Sequence, residues 1–180
     1  MSGQIRYRLN WEKAIESIVW LANRQPEIGF FHISKVLFYA DKMHLQRYGR
    51  PITGDVYIAM TYGPVPSGVY DLLKHEPFLP PEILKKLDES LEIDRPRVRA
   101  KRPVREDQFS GSDLRILEEA YQRYSHVPFG DLSDLSHRER AYIEANPNSV
   151  MDMELLVDDD LPDREILIAE IREKAAYGVL

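Results

Sequence analysis

Hydrophobic residues return at helical spacing along most of the chain, and the places where they fail to do so locate its turns. Ala14, Ile15, Ile18, Leu21 and Ala22 fall on one face of a segment that Asn10 can cap and that Pro26 and Gly29 close, predicting a helix over 11–24. A second stripe, Ile33, Val36, Leu37, Ala40 and Met43, runs through FFHISKVLFYADKMHLQRY. It stops at Gly49, a residue suited to a left-handed C-cap, and Pro51 forbids continuation. The period then changes. RPI, TG and DVYIAMTY alternate around Gly54, which predicts a β-hairpin turning there, with Asp55 bonding the turn backbone. GPVP follows as an extended stretch, because each proline disfavours helical geometry at the residue before it. Ser67 is then placed to cap a helix carrying Val69, Tyr70, Leu72 and Leu73.

Residues 80–89 read as a short helix, and LEIDRPRVRAKRPV as strand interrupted by Pro96. Helical signals return from Ser112 or Asp113 to about Ser125, and as one or two short turns in VPFGDLSDLSHRERAYI. The last helix is expected from Asp163 to Gly178, with Ile166, Leu167, Ala169, Ile171 and Ala175 as its apolar positions. No repeat or low-complexity linker divides the 180 residues, a length that suits one domain with a real core. The expected fold class is mainly α (α+β): a compact helical domain with a small antiparallel β-hairpin or sheet.

Composition narrows the function classes. With 43% hydrophobic and 30% charged residues and a net charge of -6, the chain is globular and carries no overall basic bias toward nucleic acid. Cysteine is absent, which removes disulfides, thiolate metal sites and cysteine nucleophiles. No apolar run approaches the roughly 20 residues of a membrane span. The start, MSGQIRYRLNWEK, lacks a signal-peptide core, so the reading is a cytoplasmic protein without a membrane partner.

Asp41 and His44 sit three apart on one face of the second helix, the arrangement of a base and its orienting carboxylate or of two metal ligands. The structural reading is favoured, because a catalytic base also needs a nucleophile or electrophile arranged around it. No HExxH, Walker loop, GxGxxG or GxSxG occurs. His137 follows a capped turn and precedes Tyr142 on a helical segment. Asp41, His44 and His137 are therefore expected to converge near the hairpin as a structural polar network, with no metal and no cofactor. The alternative is a hydrolytic or metal-dependent enzyme built on the same three residues, with Asp55 beside them. Arg95, Arg97, Arg99 and Lys101 recur at every second position, one basic face on a strand. With no aromatics interleaved, a solvated edge strand is preferred to a nucleic-acid contact, and the acidic run Asp158 to Asp160 is a candidate counter-charge. Tyr7, Tyr39, Tyr57, Tyr62 and Tyr70 read as core or rim, although tyrosine also anchors interfaces.

KVLFYADKMHLQRYGRPITGDVYIAMTYGPVPSGVYDLL resembles the signature of the Panacea domain, also called the SocA-like antitoxin domain and seen in phage-associated GepA proteins. That pattern has an (A/L)D-x-x-H helix, then G-x-P-I-T-G-D, then A-x-x-x-GPVP-x-x-x-Y. Ala40, Asp41 and His44 match the first part; Gly49, Pro51, Thr53, Gly54 and Asp55 the second; Ala59, Gly63, Pro64, Val65, Pro66 and Tyr70 the third. LSDLSHRERAY resembles the second family motif, a histidine followed by an aromatic that is usually tryptophan; here these are His137 and Tyr142. The resemblance spans about 10–145 of a domain expected to cover 1–180, with 146–180 as its C-terminal helical segment. It implies an antitoxin that neutralises a cognate toxin by direct stoichiometric binding, with no established catalytic residues. A SocA-like variant would instead deliver the bound toxin to an ATP-dependent protease. The motif is then a shared frame, and partner choice lies on the surfaces around it, Arg95, Arg97, Arg99 and Lys101 among them. The motifs name neither the toxin nor the oligomeric state.

Overall fold

The computed structural model describes residues 4–180. Its first helix, α1 (Trp11–Arg24), begins where Asn10 Oδ1 accepts the Lys13 N–H at 3.0 Å. A two-residue strand, β1 (Ile28–Gly29), leads into α2 (Phe30–Tyr48). Gly49 ends α2 at φ 69°, donating its N–H to the Leu45 carbonyl. Both helices have the bounds that their periodicity predicts. The stripe on α2 does not predict its position, because every residue from Ile33 to Leu45 is buried. One flank joins a cluster with Ile18, Leu21, Leu72 and Leu117, while Phe38, Tyr39 and Leu45 join another with Tyr57, Leu132, Leu156 and Ile171. The helix is the partition between two apolar cores.

The hairpin lies later in the chain than expected. Strand β2 (Tyr57–Met60) pairs antiparallel with β3 (Gly63–Pro66), Tyr57 opposite Pro66 and Met60 opposite Gly63. Gly54 has the expected positive φ, 78°, but in the loop between α2 and β2, where an added Cβ would lie 2.6 Å from the Arg8 carbonyl oxygen. Prolines mask β3 as a connector, since they are poor strand formers. Here they fall opposite Ala59 and Tyr57, whose backbone groups bond residues 148–151 on the other side of β2. No inter-strand donor is lost.

Helix α3 (Ser67–Lys74) follows directly, and α4 (Pro81–Ser90) precedes a second hairpin, β4 (Leu91–Asp94) and β5 (Arg97–Ala100). The strand order is β1-β5-β4, so the arginine-rich strand is central, not an edge. Its second neighbour, β1, is too short for any sequence period to mark. Helix α5 (Gly111–Tyr124) opens with a capping box between Ser110 and Asp113, slightly earlier than expected. Short helices α6 (Phe129–His137) and α7 (Arg140–Ile143) follow, then α8 (Arg164–Ala176). Helix α8 buries Ile168 and Ile171, while Ile166 and Ala169, expected inside, are exposed. Among the described residues, no helix is long and apolar enough to cross a membrane.

Candidate functional site

The motif residues build joints around the first hairpin. Asp41, buried on α2, accepts the Ile52 N–H at 2.7 Å on Oδ1. Its Oδ2 accepts the Tyr57 hydroxyl at 2.7 Å and the Thr53 hydroxyl at 3.2 Å. Burial pushes this carboxyl above the usual range, and those bonds pull against the shift. Asp55 accepts the N–H groups of Val56 at 2.8 Å, Gly68 at 2.9 Å and Val69 at 2.9 Å. Asp55 therefore caps α3, and Ser67, expected in that role, is simply its first residue. Burial carries the Asp55 carboxyl up to about 6 despite the three N–H bonds. Pro51, Thr53 and Ala59 are buried with these groups, which tie α2, β2 and α3 together.

Asp41, His44 and His137 do not form one network. His44 Nδ1 lies 2.7 Å from the Arg50 carbonyl and so carries the proton there. Its Nε2 lies 2.9 Å from Ser112 Oγ and 3.2 Å from Asp113 Oδ1, at the start of α5. Asp113 also meets Lys13 and Arg50, each at 3.0 Å. Burial alone would raise the Asp113 carboxyl, but His44, the Ser110 N–H and Lys13 hold it well below the usual carboxylate range. His137 Nε2 is 3.1 Å from the Thr61 carbonyl, and the Tyr142 hydroxyl donates to Met60 O at 2.8 Å, so both pin the tip of the hairpin. Asp41 and His44 separate because α2 is buried from Ile33 to Leu45 and its sides face different neighbours, while His137, at the end of α6, reaches the hairpin tip instead. Among the described residues, no group of three or more histidines or carboxylates is placed to hold a metal ion.

The basic strand also meets different partners from those expected. Arg99 pairs with Glu27, Arg97 donates to the Glu27 carbonyl at 3.1 Å, and Lys101 donates to the Asp88 carbonyl at 2.7 Å. Arg95 is exposed. The acidic run serves other cations: Asp158 pairs with Lys42 at 2.8 Å and Asp159 with Arg140 at 2.6 Å.

The feature that sequence reasoning missed is Lys35. A cavity of about 450 Å³ opens between the first turn of α2, the hairpin tip and the start of α6, and Lys35 lines it. The lysine is 1% exposed, with Nζ donating to the Pro64 carbonyl at 2.9 Å and 4.8 Å from the centre of the Phe31 ring. Burial lowers its ammonium to about 7. Gly63, at φ 102°, makes this closeness feasible: an added Cβ would strike the Ser136 side chain and come within 3.1 Å of Lys35 Cε. Phe129 packs on Phe31 at 4.2 Å and on Tyr62 at 5.1 Å, forming an aromatic rim. Tyr70 also lines the cavity, which gives the last residue of the GPVP motif a place at the same site. The only trace of Lys35 in the sequence is a lone cation in a mostly apolar run, ISKVLF.

No curated protein and no solved structure matches the chain. Most residues of the joints and the cavity, Lys35, Asp41, Asp55, Tyr62 and Phe129 among them, nonetheless fall in one continuous stretch that a single family pattern spans. The model described as "Antitoxin SocA-like, Panacea domain" matches residues 33–142, and the chain belongs to that family.

Proposed function

We propose that this protein is the antitoxin of a toxin–antitoxin pair, acting in the cytoplasm and neutralising a cognate toxin by direct stoichiometric binding. Membership of the SocA-like antitoxin family carries the reading. The geometry supports a binding protein rather than an enzyme, because Asp41, Asp55, His44 and His137 are each engaged in holding backbone segments together. The hydroxyls that meet Asp41, on Thr53 and Tyr57, are buried with it, and His44 lies 2.9 Å from Ser112 Oγ. That imidazole is fully buried with its other nitrogen on the Arg50 carbonyl, a joint between α2 and α5 and not a base facing a substrate. The frame leaves aromatic and basic side chains exposed for a partner, Tyr62 and Phe129 at the cavity and Arg95, Arg97, Arg99 and Lys101 on and around β5.

Co-expression with the protein encoded by the neighbouring reading frame tests this. Growth should be rescued, and the two chains should copurify in fixed ratio. Rescue that needs an ATP-dependent protease, with the toxin disappearing, identifies the adaptor form of the same binding. Relief of toxicity at large toxin excess without any complex overturns the proposal.

A further inference from the structure

We infer that the cavity over Lys35 is the anchoring pocket for the bound toxin, and that it receives an acidic side chain of the toxin flanked by a large apolar residue. The inference rests on the antitoxin reading and adds the chemistry of the contact.

Charge complementarity is the first argument. Buried cations are ordinarily paired with acids, and this protein follows that rule elsewhere. Lys13 meets Asp113, and Lys42 meets Glu139 and Asp158. Lys35 breaks the rule. Its ammonium has three donors and one carbonyl acceptor, and among the described residues no carboxylate lines the cavity. The first turn of α2 adds to the positive field, since its N-cap, Gly29, offers no side chain and no acidic residue follows in that turn.

The rim is the second argument. Tyr62 is 59% exposed and Phe129 47%, side by side, and both stand over the cavity. Neighbouring exposed aromatics around a concave site are the usual anchors of a protein interface. The half-buried Phe31 ring lines the same cavity with its centre 4.8 Å from the ammonium, so the aromatic rim and the cation belong to one site. An apolar side chain then takes the place of water between the rings, while the adjoining carboxylate reaches the ammonium.

The test uses the full chain and the neighbouring frame's product. Lys35→Met keeps the stem of the side chain and removes the ammonium. It should leave the melting temperature unchanged or raised, yet weaken the complex at least tenfold; Tyr62→Ala with Phe129→Ala should weaken it comparably. A second arm titrates the wild-type chain with 3-phenylpropanoate and with its neutral amide, followed by NMR. The acid should shift the amides around Phe31, Lys35 and Gly63 and bind at least threefold more tightly than the amide. This arm does not depend on how well any variant folds. A wild-type complex that Lys35→Met leaves intact overturns the inference, as does equal or absent binding of acid and amide. A wild type that forms no complex at all overturns the antitoxin reading, and this inference with it.

Discussion

Asp41 and Lys35 are two buried charges on one helix, both beside the same hairpin, and they are treated in opposite ways. Asp41 is met by a backbone N–H and two hydroxyls, so its charge is spent on closing the loop from Ile52 to Tyr57. Lys35 is met by one carbonyl and an aromatic ring. A buried charge with its bonding capacity filled is a joint of the fold, whereas one left short remains free to bind something else. The same distinction separates Asp41, Asp55 and His44, which bond backbone groups of neighbouring segments, from the cavity, to which the motif adds only part of the lining.

The largest effect should come from Asp41→Asn, which puts an NH2 group among donors and strands either the Ile52 N–H or the Tyr57 hydroxyl. We expect a loss of about 3 kcal/mol in urea unfolding, as for charged hydrogen bonds broken in a buried site. A loss below about 1 kcal/mol would mean that Asp41 is no more of a joint than Lys35. Lys35 itself should show in the pH dependence of stability. Its folded value lies near 7, below the ordinary 10.5, so between those limits the unfolded chain holds the proton more tightly than the folded one. Stability from this group should therefore rise with pH across that window, by about 1 kcal/mol per unit, and the cost is present in full below it. Unfolding curves collected from pH 6 to 9 should show that Lys35→Met removes the rise; an unchanged slope would show that the lysine is not desolvated. The smallest effect is at the surface. Arg99→Ala breaks an exposed ion pair with Glu27 and should change stability by less than about 0.5 kcal/mol. A larger change would make the central strand part of the frame.

Legibility in the sequence followed the range of the interaction. The limits of α1 and α2 are set by Asn10 and Gly49, residues that act on their own turn of backbone, and both could be read directly. The joints could be named from the motif but not assigned, because Asp55 caps a helix beyond the hairpin and His44 reaches α5. Pairing of GPVP with YIAM depended on which side of the strand the prolines fall, and that is a property of register. The burial of Lys35 had no local cause at all. It follows from α6 closing over Gly63, two segments far apart in the chain.

The placement of Pro64 and Pro66 has a further consequence, for assembly. Both imino nitrogens fall where β3 turns away from β2, so the outer edge of the hairpin offers no N–H at either position. The opposite edge is already occupied, with Ala59 and Tyr57 bonded to residues 148–151. This two-stranded sheet cannot be lengthened by an incoming strand, whether from a second copy in an aggregate or from a ligand that binds by β-augmentation. Recognition at the hairpin must therefore be made by side chains, whose identities can change from one protein to the next while the backbone under them stays the same.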